Sequence, residues 1–164
     1  MRIFSRAFAA AALSLLASGA AWAGVSVTYV KPEEFRDVPF SEVDRERVLK
    51  QLTDHFIELG KSLPAGQDLK IEVTDLDLAG RSIPSRRGGD DLRILRGGAD
   101  WPAMNLRYTL ESQGQIVSKG EEQLSDMNYL NHMNRYSSGE NLRFEKQMID
   151  VWFKKKFLPA AKQG

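Results

Sequence analysis

The chain of 164 residues contains no cysteine and only two histidines. Without cysteine there are no disulfide bonds, no cysteine nucleophile and no thiolate metal ligand, so a folded form must rest on its hydrophobic core. The sequence signatures of nucleophile elbows, zinc proteases and phosphate-binding loops are also missing. The sequence therefore predicts no cofactor and no metal site, and it leans away from an enzyme without deciding the question.

A long hydrophobic run is missing as well, because the one apolar segment, residues 7–17, is too short to span a membrane. Arg2 and Arg6 flank its start, and residues 21–23 (AWA) form a small-residue cleavage motif. This pattern is typical of a secretory signal peptide. We expect residues 1–23 to be removed after Ala23 and the product to be soluble in the periplasm.

An excess of basic residues is the third feature that the sequence lacks. Removing the two arginines of the signal segment from the 23 basic residues leaves 21, against 22 acidic ones, a net charge of −1. A dedicated nucleic-acid-binding protein normally carries a basic surface. The sequence thus predicts no nucleic-acid partner, and residues 24–164 are long enough to form a single domain with its own core.

The periodicity of apolar residues predicts an α+β fold, a two-layer sandwich. Two helices are expected on one face of a mostly antiparallel sheet of about four to five strands. Each helix follows a predicted capping box. The predicted strands cover residues 25–30, 92–95, 104–110 and 116–124 and lie within the central stretch 68–80, and the predicted helices begin after Ser41 and after Ser137.

Within residues 68–80, apolar residues occupy odd positions up to Val73 and even positions beyond it. This change of phase predicts a β-bulge or a strand end near residues 74–75. The bulge is expected to turn Asp75 and Asp77 toward the face that holds the core upstream. They are candidate ligand-binding residues, although solvated or arginine-paired carboxylates would give the same pattern, and their spacing does not fit a calcium loop.

Residues 81–98 combine arginines with two glycine pairs. Arg81, Arg86 and Arg87 are candidate ligands for an anionic group, since guanidinium groups suit phosphate and carboxylate oxygens. A solvated loop, whose arginines pair with Asp90, Asp91 and Asp100, is the alternative, and the sequence favours it.

The polar and aromatic segment 125–138 contains three further candidates, Asp126, Tyr129 and His132. A histidine beside a carboxylate can act as a general base or belong to a ligand-binding cluster. Local hydrogen bonds of Asp126 to the backbone are the alternative. The second histidine, His55, is expected to be a surface or boundary residue of the first helix.

Five segments resemble the secreted proteobacterial proteins grouped as domain of unknown function 3016. They are IEVTDLDLAG at residues 71–80, DWP at 100–102 with LRYTL at 106–110, LSDMNYL at 124–130, and LRFEKQMIDVWF at 142–153. The resemblance implies a small exported protein with one domain and a Gram-negative periplasmic location. It implies no catalytic residue and no cofactor.

These observations predict a non-enzymatic periplasmic module that binds an envelope protein or an anionic envelope component. Its contact surface is expected to combine Asp75, Asp77 and Asp126 with the loop arginines and with Tyr129 and His132. The alternative is a hydrolase or transferase that acts on an envelope polymer, with Asp126 and His132 as an acid/base pair. A purely structural protein, which would have no enclosed pocket, is a third possibility.

Overall fold

The computed structural model describes residues 24–83 and 92–158. The predicted signal peptide and its cleavage site lie outside these residues. The elements, in chain order, are β1 (Gly24–Tyr29), a short 3-10 helix (Pro32–Glu34), α1 (Glu42–Gly60), β2 (Gln67–Asp77), β3 (Arg81–Ile83), β4 (Leu92–Ile94), β5 (Ala103–Ser112), β6 (Gln115–Ser125) and α2 (Arg143–Phe157). No helix among the described residues is both long enough and apolar enough to span a membrane.

The main sheet has four strands in the order β1-β2-β5-β6. β2, β5 and β6 are antiparallel neighbours, whereas β1 lies parallel to β2 and is connected to it through α1. The α+β class is thus confirmed, and the sheet is mixed. The parallel pair follows from the length of α1, because a parallel connection needs a crossover element that a short turn cannot supply.

The two helices pack on the same face of the sheet, as predicted. The core is built from apolar residues of both helices and of the inward face of β2 and β5, and its fully buried members include Leu52, Phe56, Ile71, Leu106 and Phe153. On the outer face, charged side chains pair across strands, for example Lys70 with Glu111. One face is therefore apolar and one is wet, which explains the alternation seen in the sequence.

The predicted bulge in β2 is confirmed, because the register with β5 shifts between Val73 and Asp75. Its predicted effect on the carboxylates is wrong. The extra residue keeps Leu76 on the core face, where it is fully buried, so Asp75 and Asp77 lie on the outer face. A bulge compensates for the change of phase in the sequence, and this compensation holds the apolar residues on one side.

The strands β5 and β6 form the predicted hairpin, with β6 at the edge of the sheet. Gln113 and Gly114 both have positive φ values, 52° and 77°, as a tight two-residue hairpin turn requires. The predicted short strand near residue 92 also exists as β4. It pairs with β3 in a separate two-stranded sheet and does not join the main one.

Neither predicted capping box forms. Ser41 is the N-cap of α1, but its side chain makes no capping hydrogen bond. α2 begins at Arg143, with Leu142 as its N-cap, six residues after Ser137. Residues 137–140 form a backbone turn instead, in which the Glu140 N–H donates to the Ser137 carbonyl at 3.1 Å.

Candidate functional site

Three polar side chains on α2 point into the protein. Glu145, Gln147 and Asp150 are 0%, 8% and 2% exposed. Buried polar groups are costly unless hydrogen-bonded, and each of these three binds a different part of the chain. Together they determine where the irregular segments that carry the predicted site residues lie.

Glu145 binds the β3–β4 hairpin. Its carboxylate pairs with the Arg93 guanidinium and accepts the Ala79 N–H at 2.8 Å. Arg93 also donates to the carbonyls of Ala79 and Asn141. This guanidinium is engaged inside the protein, so Arg93, an arginine of the predicted anion-binding loop, is not available to an external anion.

Gln147 binds the segment that contains His132. Its Oε1 accepts the Arg135 N–H at 2.8 Å, and its Nε2 donates to the Met133 carbonyl at 2.9 Å. These two backbone partners determine the orientation of the amide. The Nε2 group, 3.0 Å from His132 Nδ1, is therefore the donor in that contact as well.

The predicted pair of Asp126 and His132 does meet. His132 Nε2 lies 2.8 Å from Asp126 Oδ2 and 3.0 Å from Oδ1, at the surface. Because Nδ1 accepts from Gln147, the ring proton of neutral His132 sits on Nε2 and is donated to Asp126. Both ring nitrogens are thus engaged by the protein. Asp126 also accepts the Asn128 N–H at 3.1 Å, the local backbone contact expected as the alternative.

Asp150 joins α1, α2 and the segment before α2. One of its oxygens is 3.0 Å from His55 Nε2, and the other accepts from the Tyr136 hydroxyl at 2.8 Å and from Arg135 Nη1 at 2.7 Å. Burial alone would raise the pKa of Asp150. The hydrogen bonds from His55 and Tyr136 and the nearby positive charges outweigh burial and lower it.

His55 is a boundary residue of α1, one of the two positions predicted for it. Its side chain is 10% exposed and packs edge-on against the Tyr136 ring, with 5.8 Å between ring centroids. Tyr129, in contrast, is internal. It is 1% exposed, stacks edge-on against Phe144, and donates its hydroxyl to Asp100 at 2.9 Å.

Asp75 and Asp77 lie in an outer-face groove of about 280 Å³ that Arg36, Trp101, Asn105 and Gln123 also line. The pKa of Asp77 is raised, chiefly by burial and then by the charge of Asp37 and a hydrogen bond with the Asp37 carboxyl group. The charge of Asp75 raises it further. His132 contacts Gln147 of α2, which packs on the inner face of the sheet, and Asp126 is bound to His132. Among the described residues, no hydrogen bond joins Asp75 or Asp77 to Asp126 or His132.

Arg81 is exposed on β3. Arg86 and Arg87 lie outside the described residues. Over the ranges 24–83 and 92–158, no group of three or more histidine, aspartate or glutamate side chains is arranged to hold a metal ion.

A second cavity, which the sequence did not indicate, lies between the N-terminal half of α1, the β3–β4 hairpin and the segment before α2. It encloses about 300 Å³, the lower end of the usual range for ligand pockets. Leu78, Leu142 and Val48 form its inner wall. We call it the α1 cleft.

The rim of the α1 cleft carries polar groups. Gln51 and Asn141 contribute side-chain amides, which have no hydrogen-bond partner among the described residues. Arg47 and Asp44 add charges of both signs and pair with each other at 2.8 Å, an exposed contact that is easily exchanged. An apolar wall with a few convergent polar groups is the usual composition of a ligand site.

Sequence reasoning missed Glu145, Gln147 and Asp150, and with them the α1 cleft. One signal was present, because these polar residues interrupt the broad apolar face of the closing helix. A polar residue on such a face has to find a partner when the helix is buried. The identity of the partner could not be read from the sequence, since His55 is 95 residues away from Asp150.

Comparison with known proteins gives one match. The profile of a family described as a protein of unknown function (DUF3016) matches residues 23–155. Searches of curated proteins and of solved structures found no match.

Proposed function

Since the chain belongs to the DUF3016 family, whose description leaves its function open, we propose from its geometry that it is an exported, non-enzymatic binding protein that holds its ligand in the α1 cleft. The observation that carries this proposal is the composition of the cleft. Three apolar side chains form its inner wall, and at its rim stand two side-chain amides that have no hydrogen-bond partner in the part of the chain that the structure describes. The ligand is a small apolar group flanked by hydrogen-bonding atoms.

Export is supported by the N-terminal sequence. Two arginines, an apolar run and an A-x-A motif follow one another in the first 23 residues. Mass spectrometry of the protein recovered from its host should find Gly24 at the N-terminus. A chain that retains Met1 and stays in the cytoplasm would contradict export.

The proposal that the protein is not an enzyme is supported by the hydrogen bonds of His132. A general base needs a free nitrogen within reach of the substrate, and both nitrogens of His132 are bound by Asp126 and Gln147. Purified cell-wall polymer incubated with the protein should release no soluble fragments. Release that is lost in His132→Gln would support the hydrolase alternative instead.

The cleft is tested by nuclear magnetic resonance with a library of soluble fragments. Fragments that bind should shift the backbone amides of Val48, Gln51 and Leu142. Gln51→Ala should weaken the strongest of them about fivefold, since one hydrogen bond contributes about 1 kcal/mol. Lys50→Ala, one residue away on the exposed side of α1, is the control and should change nothing. Fragments that bind only elsewhere on the protein would overturn the proposal.

A further inference from the structure

The solvent-facing side of α2 has a charge of one sign. The helix contains two acidic residues, Glu145 and Asp150, and both are buried. Its exposed charges are consequently all basic. Lys154 and Lys155 are exposed and form no ion pair within the described part of the chain, whereas Lys156 pairs with Glu122.

Apolar side chains are exposed beside these lysines. Val151, which is 63% exposed, precedes Lys154 and Lys155 by three and four residues, so all three lie on the same side of the helix. Met133, which is 94% exposed, is held next to this side because Gln147, one turn before Val151, donates to the Met133 carbonyl at 2.9 Å. The exposed surface is therefore apolar and basic together.

We propose that this surface, formed by Met133, Val151, Lys154 and Lys155, docks the protein on an anionic lipid bilayer. The four side chains place apolar and basic groups together on one side of α2, the composition of a helix that lies on a membrane surface. At a bilayer, Met133 and Val151 enter the headgroup region while the two lysines face lipid phosphates. Charge complementarity selects an anionic bilayer over a neutral one.

The docking is weak and reversible. Each lysine close to an anionic surface strengthens binding roughly fivefold, and the attraction falls with salt over the Debye length. The contacts that hold the surface in place do not involve its own side chains, because the buried Asp150 and Gln147 anchor residues 133–136 to α2. The surface is therefore available without a change of conformation.

Co-sedimentation of the purified protein with vesicles tests the proposal. The probes are vesicles of phosphatidylcholine alone and vesicles that contain phosphatidylglycerol. Binding is expected only to the second kind and should decrease as salt is raised. The double variant K154E/K155E should bind at least roughly 25-fold more weakly. K50E/K119E, which has the same net charge, should bind like the natural protein.

The apolar part of the surface is tested by Met133→Ser, which should reduce binding severalfold without changing the thermal midpoint, since the side chain is solvent-exposed. Equal binding to both kinds of vesicle, no binding to either, or equal losses in the two double variants would each overturn the proposal. Binding to free polyanions such as heparin but not to vesicles would assign the surface to another class of partner and would also overturn it.

Discussion

Two aspartates show at the residue scale how location determines the chemistry of the same side chain. Asp77 lies in an open groove beside Asp37 and Asp75, where burial and like charges raise its pKa. Asp150 is buried more completely, yet its pKa is lowered because donors from His55, Tyr136 and Arg135 surround it. Hydrogen-bond partners therefore decide the direction of the shift, more than burial alone does.

The raised pKa of Asp77 predicts that its ionised form is disfavoured in the folded state. The resulting loss of folding stability is absent below the pKa of Asp77 in the unfolded chain, about 3.9. It appears as the pH rises from that value through the pKa of Asp77 in the folded protein. Asp77→Asn should therefore increase the free energy of unfolding at pH 7 by about 0.5 kcal/mol, a small value because water screens the open groove. Urea denaturation at pH 7 and pH 3.5 measures the effect, which should vanish at the lower pH. A loss of stability at pH 7 would contradict this account.

At the scale of secondary-structure elements, single buried contacts hold pairs of elements together. The β3–β4 hairpin is separate from the main sheet, and its described contacts with α2 centre on Arg93 and Glu145. Gly80, just before the hairpin, has a positive φ of 73°, and a Cβ there would lie 2.3 Å from the Ile94 carbonyl oxygen. The backbone of β4 therefore approaches residue 80 so closely that only glycine, which has no Cβ, fits there.

Breaking the Arg93–Glu145 pair should be costly. Glu145→Gln keeps an acceptor for the Ala79 N–H but leaves the Arg93 charge without its partner, and such changes cost about 3 kcal/mol. The double variant R93M/E145Q should regain part of this loss, because it buries no unpaired charge. Urea denaturation of both variants measures the difference.

Glu58→Gln is the control for this experiment. Its partner Lys61 is exposed, so the change should stay within about 0.5 kcal/mol. If Glu145→Gln were equally mild, the hairpin would not depend on this ion pair.

The whole molecule is held by contacts between segments that are far apart in sequence. Asp150, for example, connects α1, α2 and the segment before α2 through His55, Arg135 and Tyr136. The core below Asp150 consists of apolar and aromatic side chains, which do not titrate at acid pH. Acid should therefore weaken the polar contacts outside the core first.

Acid should therefore weaken the molecule through Asp150. A lowered pKa contributes stability that is present above the unfolded value and is lost as the pH falls through the folded one, here below about pH 4. At pH 7, Asp150→Asn should lower the free energy of unfolding by about 2 kcal/mol, since charged hydrogen bonds are lost. The difference between variant and natural protein should shrink at pH 3. A difference that does not change with pH would show that Asp150 acts by packing alone.

Local periodicity was enough to predict much of the fold. The strands β2 and β5, the hairpin to β6, the body of α1 and the bulge near residue 74 all follow from the spacing of apolar residues over about ten positions. Spacing is a local property that the backbone converts directly into one buried face. Spacing does not determine whether neighbouring strands run parallel or antiparallel, which is why the parallel pairing of β1 with β2 was not predicted.

The candidate site could be predicted only in part. The sequence indicated that Asp126 and His132 belong together, because they are six residues apart in one polar segment. It placed Tyr129 at an accessible ligand-binding position, and the residue is internal. A side chain's exposure depends on what packs over it, and the covering residues come from other segments.

The sequence by itself determined the α+β class, the single apolar face of the sheet and the signal-peptide pattern. Each of these depends only on residues that are close together along the chain. Tertiary structure alone decided which polar residues became internal partners, which face received Asp75 and Asp77, and where the α1 cleft opened. The physical reason is that burial and hydrogen bonding are satisfied between distant segments: 52 residues separate Arg93 from Glu145, and 95 separate His55 from Asp150.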